Sequence, residues 1–245
     1  MKLEMVGRID ECFLLSYGID LEQAVALVPA GLELITYRGA AFFNIVICHI
    51  DRMRPRFTPR VLGVTYWHIA YRVQVRATVT GDRLIEGLYF LRSDIDRPVF
   101  GAVGNMLTDF HFHAAQVQFW NESETAWRVR VEPTTSDALG SLAVRRTASN
   151  SLEPGSPFAS WEERERVLKY APFGLSVSKS GRCIRVAEVI RDEALWREEP
   201  VEVEAADWSY PRSLGLRDLR LVRATRVAPI DYRWRIGRTE QLGSV

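Results

Sequence analysis

Between Thr65 and Thr80 the chain places Tyr66, His68, Arg72, Gln74 and Arg76 at alternate positions, a phenol, an imidazole and two guanidiniums along one side. The other side runs Trp67, Ile69, Tyr71, Val73, Val75, Ala77 and Val79. Side chains alternate across a β-strand, so sixteen residues of period two specify one strand with an apolar and a polar face. The apolar face must meet a core. The polar face is expected to line a cavity, where a guanidinium would bind a carboxylate through two parallel hydrogen bonds. On an outer wall the same arginines would simply be solvated. His68 adds a group that titrates near neutral pH and suits general acid–base work.

Three further groups are chemical candidates. His111 and His113 stand two apart in a segment that reads as a strand, which would project both imidazoles from one face about 6.5–7 Å apart along the strand. That pair would chelate zinc or iron if a third ligand arrived from elsewhere, or serve as hydrogen-bonded polar lining. Asp94 closes the strand that returns from the stripe, either as ion-pair partner of an interior arginine or as a surface residue. Asp96 reads as a helix cap. No serine stands in a nucleophile-elbow context, and no glycine-rich phosphate loop follows a strand.

The elements that must hold these residues read mainly as β. Strands are expected at Glu11–Tyr17, in a hairpin over Leu32–Tyr37 and Ala40–Ile50, along the stripe and its return Leu84–Ser93, and at His111–Trp120, Thr125–Glu132 and Ser136–Thr147. A second hairpin spans Phe173–Ser178 and Arg182–Ile190, and Leu219–Ile230 is the last clear strand. Asp51–Gly63, with Pro55 and Pro59, reads as a loop. Short helices are expected after Asp20, from Pro98 and after Ser160, the last with Glu163 in capping-box register. About ten strands and three short helices without a βαβ rhythm imply a closed or partly closed β-barrel. With 245 residues and no long linker, residues 1–245 read as a single domain.

Composition narrows the partners. With 32 basic and 31 acidic residues the net charge is +1, so no nucleic-acid partner is expected. Cys12, Cys48 and Cys183 show no paired spacing and read as reduced thiols. No leader and no membrane-length apolar run are seen, so a cytoplasmic protein is expected. No cofactor is called for, and homo-oligomerisation stays open. The only lysines are Lys2, Lys169 and Lys179.

Assembled in order, these segments resemble a bacterial family of uncharacterised proteins in the acetoacetate-decarboxylase-like superfamily. The resemblance runs from Cys12 to Trp234. Its carriers are Pro29-Ala30-Gly31-Leu32-Glu33-Leu34 with Tyr37, Gly39 and Ala41, then Tyr71-Arg72-Val73, Tyr89-Phe90 with Asp94, Phe112-His113-Ala114, and Gly181-Arg182. The family often carries glutamate and asparagine where this chain has His68 and Ala70, and proline-tyrosine where it has Phe110-His111. What the resemblance implies is a cone-like barrel with an interior pocket. The decarboxylases use a Schiff-base lysine on an interior strand, and this chain has no lysine between Leu3 and Leu168.

The resulting expectation is a barrel that binds a small organic acid or carbonyl compound. Arg72 would hold the anionic group, with Tyr66, Asp94 and His111 shaping the polar end. His68 or His113 would act as general acid or base in a lyase step without Schiff-base chemistry. The alternatives are a metal-dependent enzyme built on His111 and His113, and a non-catalytic partner-binding barrel.

Overall fold

The computed structural model describes residues 3–134, 138–149, 151–153, 155–169, 172–178 and 180–243. The chain opens with an 18-residue strand, β1 (Leu3–Asp20), followed by the short helix α1 (Leu21–Val25), two-residue strands β2 (Glu33–Leu34) and β3 (Thr36–Tyr37), and β4 (Ala40–Pro55). The striped strand is β5 (Val64–Val79) and its return is β6 (Arg83–Ile95). Helix α2 (Pro98–Thr108) leads into β7 (Phe112–Ser123), β8 (Ala126–Pro133) and β9 (Gly140–Arg146). Helix α3 (Trp161–Val167) precedes β10 (Phe173–Val177), β11 (Cys183–Arg191) and β12 (Glu198–Trp208). Helix α4 (Ser209–Ser213), β13 (Arg220–Val227) and β14 (Ile230–Gln241) close the fold.

Local chemistry explains several boundaries. Pro98 opens α2 at a position where its missing N–H costs nothing. The Ser160 hydroxyl accepts from the Glu163 N–H and so caps α3. The expected loop at Asp51–Gly63 begins later than its first residue, because β4 continues through a bulge to Pro55, and the rest is loop with a 3-10 turn at Arg60–Leu62. Asp20 precedes α1 without a side-chain capping bond.

All the described strands belong to one sheet that branches at β1 and at β6, with β2 pairing β5 off the main path. Along β1, Leu3–Ile9 pairs with β14, while Cys12–Gly18 pairs with β13. Along β6, Leu88 and Tyr89 pair with β10, and Ser93–Ile95 with β7. The antiparallel block β1–β4–β5–β6 is therefore a wall between two arcs: β10–β11–β14 on one side and β7–β8–β9–β12–β13 on the other. The arcs join through only two residue pairs at β6–β10 and three each at β6–β7 and β12–β13, so the barrel is partly closed. Branching at β6 demands close backbone approach. A Cβ on Gly87 would lie 2.6 Å from the Phe173 carbonyl oxygen, and one on Gly174 would lie 2.6 Å from the Phe110 ring.

Because β5 lies inside the shared wall, both of its faces are covered. Ile69, Tyr71, Val73, Val75, Ala77 and Val79 join the main core with Phe13, Phe43, Trp127 and Trp208. Tyr66 and Ala70 join a second cluster with Phe90, Phe110, Tyr232 and Ile236. Among the described residues no helix is long and apolar enough to cross a membrane.

Candidate functional site

The polar face of β5 lines the smaller compartment, beneath the β14 arc. His68 is 7% exposed, pairs in register with Ile95, and lies near the Phe90 ring (6.4 Å, nearly parallel) and the Phe112 ring (5.2 Å). Burial first and the neighbouring Arg72 charge second push its pKa down to about 3, so the imidazole is neutral at pH 7. Its Nε2 has no hydrogen-bond partner among the described residues. Tyr66 is buried against Phe100 (4.9 Å), and desolvation raises its pKa. The Arg72 guanidinium is half-buried and lies 5.6 Å from the Phe90 ring centroid.

Two small cavities meet this face. One of about 70 Å³ touches Tyr66, His68, Phe110, Phe112 and Trp234. Another of about 70 Å³ touches Arg72, Cys12, Cys48, Leu88, Arg191 and Tyr232. Outside the second lies an open groove of about 850 Å³ lined by Arg8, Arg52, Arg54, Arg60, Arg191 and Arg233 against Asp51, Asp192 and Asp231. Arg191 and Tyr232 border both spaces. The Arg191 guanidinium stacks on Trp196 at 3.7 Å and donates Nε to Glu193 at 2.8 Å.

Asp94 does not join this group. A register shift at Tyr71/Arg72 places Asp94 opposite Ile69 and Arg92 opposite Tyr71, so both side chains enter the larger compartment on the other face of the wall. There the Asp94 carboxylate accepts a 2.8 Å bond from Arg92 Nε, with both residues almost fully buried. The interior arginine that pairs with Asp94 is thus Arg92, and not Arg72. Desolvation outweighs Arg92 and raises the Asp94 pKa to about 6. Tyr210 lies beneath Arg92 (5.5 Å) and beside Tyr71 (4.8 Å), and donates its hydroxyl to the Leu91 carbonyl at 3.2 Å.

The histidine pair is also rearranged. His111 precedes β7 in a left-handed conformation (φ 53°), with Nδ1 3.0 Å from the Phe90 carbonyl oxygen. It is therefore not the strand neighbour of His113. His113 pairs in register with Asp94, on the face opposite His68, and is exposed. Partial burial and the nearby Arg92 and His111 lower its pKa. Among the described residues no group of three or more His, Cys, Asp or Glu side chains could hold a metal. Asp96, expected as a cap, instead accepts the Trp67 N–H at 2.9 Å and ties the start of α2 to β5.

Among the described residues none of the fourteen strands contains a lysine. Lys169 is exposed and 3.7 Å from Glu193, whereas Lys2 and Lys179 lie outside the described residues. Arg92, Arg191, Tyr232 and Trp234 escaped the sequence reading. The alternation Ile230, Tyr232, Trp234, Ile236 was the available signal for β14.

A branched, partly closed barrel with these compartments is an acetoacetate-decarboxylase-like fold. The chain aligns over 99% of its length with an acetoacetate decarboxylase-like enzyme from Sphingomonas wittichii RW1 (TM-score 0.61, 13% identity, 94% of that chain). It aligns equally fully with the acetoacetate decarboxylase of Legionella pneumophila (0.59, 12%, 88%) and with the enduracididine biosynthesis enzyme MppR complexed with pyruvate (0.57, 11%, 91%). By sequence the chain belongs to the DUF2071 family, an uncharacterized conserved protein, whose model matches residues 8–222. No curated protein matches the sequence.

Proposed function

We propose that the protein binds a small organic acid or 2-oxo acid in the smaller compartment, with Arg72 holding the carboxylate. The observation that carries this reading is the placement of Arg72. Its guanidinium borders an interior cavity beside an aromatic ring and a neutral buried imidazole, where low local polarity strengthens a charge-assisted bond. His68 and Tyr66 stand along the same strand face and shape the apolar end. The arginine-lined groove supplies the approach, with Arg191 and Tyr232 at the throat.

The reading favours binding over acid–base turnover. A histidine protonating near pH 3 is a weak general base at pH 7, since catalytic groups work best with a pKa near the working pH. His113, on the other face of the wall, is not placed to share a substrate with His68. MppR bound to pyruvate shares the fold at 11% identity, which makes pyruvate a natural first probe and transfers no activity. Crystals soaked in pyruvate test the proposal. Electron density against Arg72, in the cavity it shares with Tyr232 and Arg191, is expected, whereas density only beside Arg92 and Asp94 would move the site across the wall.

A further inference from the structure

Cys12 and Cys48 are 36 residues apart in sequence but direct register partners on β1 and β4. Opposed residues of an antiparallel pair have Cα atoms about 4.5–5.5 Å apart, inside the range of about 4.4–6.8 Å that a disulfide spans. Both side chains turn to the same face, where they join the second core cluster and border the cavity that also touches Arg72. Their Sγ atoms are 2.8 Å apart. Cys183, on β11, shares neither the register nor the cavity.

We infer that Cys12 and Cys48 form a reversible dithiol–disulfide site in the wall of the Arg72 cavity. Register, shared face and sulfur contact carry this inference, which does not depend on the ligand proposed above. Both thiols are buried, at 1% and 8% exposure, so the oxidant must be small and uncharged enough to enter through the cavity. Hydrogen peroxide is of that class. Burial also holds the Cys12 thiol well above its ordinary pKa, which keeps thiolate scarce and oxidation slow.

The chemistry balances with peroxide alone. One thiolate attacks a peroxide oxygen, the O–O bond breaks, and the departing hydroxide takes up the thiol's proton as water. The sulfenic acid is then attacked by the facing sulfur. The S–S bond forms, the S–O bond breaks, and a second water leaves with the second thiol's proton. Two thiols lose two electrons and the peroxide gains them. A dithiol reductant reverses the change.

The test uses the full chain, treated with hydrogen peroxide, then unfolded in iodoacetamide and digested with trypsin without reductant. Cleavage after Arg8, Arg38 and Arg52 separates the two cysteines into the peptides 9–38 and 39–52. The expected result is one cross-linked species of these peptides, lighter than their sum by two hydrogens and released by dithiothreitol, with Cys183 alkylated. Cys48→Ala should abolish it. Peptides 9–38 and 39–52 recovered separately after peroxide, alkylated or oxidised beyond sulfenic acid, would overturn the inference. So would a two-hydrogen loss that persists in Cys48→Ala, because the partner would then be Cys183.

Discussion

Acid should destabilise this fold through His68 and stabilise it through Asp94, and the two effects can be separated by substitution. His68 stays neutral in the folded protein down to about pH 3, whereas its ordinary value is 6.5. Between those values the unfolded chain binds more protons, so the stability contributed by His68 is complete above pH 6.5 and lost as pH falls toward 3. Asp94 has the opposite sign. Its folded-state pKa of about 6 exceeds the ordinary 3.8, so its contribution is complete below 3.8 and lost as pH rises through 6. Between about pH 6 and pH 4, linkage gives a loss of about 2.5 kcal/mol at His68 and a gain of about 2 kcal/mol at Asp94. The groups occupy opposite faces of the wall and share no hydrogen-bond partner, so the two effects should add. In the wild type they nearly cancel. Urea unfolding at pH 6, 5 and 4, followed by tryptophan fluorescence, resolves them. On acidification His68→Gln should gain about 2.5 kcal/mol relative to wild type, and Asp94→Asn should lose about 2 kcal/mol. Parallel pH profiles for wild type and both variants would refute the burial argument for each group.

Arg92→Met should cost about 3–5 kcal/mol at pH 7 by leaving a buried carboxylate without its partner, with partial recovery at pH 5 where Asp94 protonates. An equal loss at both pH values would show that the pair is held by packing alone. Borohydride trapping with pyruvate or acetoacetate should leave the mass unchanged, since among the described residues no strand contains a lysine. A stable adduct would place a loop lysine inside the barrel. Protein purified without chelator should carry well under one equivalent of zinc, iron or manganese, and stoichiometric metal lost in His113→Ala would revive the histidine-pair reading. Gly174→Ala should destabilise by about 1–3 kcal/mol, because its methyl group meets the Phe110 ring at the β6–β10 junction. A neutral result would mean that the junction yields.

Much of the fold was legible because β5 writes its two environments directly into alternate residues, and the barrel class followed from turns and periodicity. Two strands were not. In β12 the run Glu198-Glu199-Pro200 hides a strand whose outward face is acidic, and β14 was cut off by Pro229. The arrangement of the candidate residues was half legible. Tyr66, His68 and Arg72 do share one face. Asp94 was assigned to the wrong compartment because a single bulge reverses side-chain direction without changing composition. His111 failed as a strand residue because its left-handed backbone leaves no mark in a two-residue spacing. Neither Arg92 nor the Cys12–Cys48 contact could be found locally, since each depends on pairing between strands.

The central claim is that Arg72 binds the carboxylate of a small acid, and calorimetric titration of wild type and Arg72→Ala with pyruvate at pH 7 tests it most directly. A charge-assisted contact is worth about 1.5–3 kcal/mol, so the variant should bind about ten- to a hundredfold more weakly, with Arg72→Lys recovering only part and all three melting alike. Equal affinity in wild type and Arg72→Ala, or a lost signal explained by a large fall in melting temperature, would make Arg72 part of the scaffold and contradict the account.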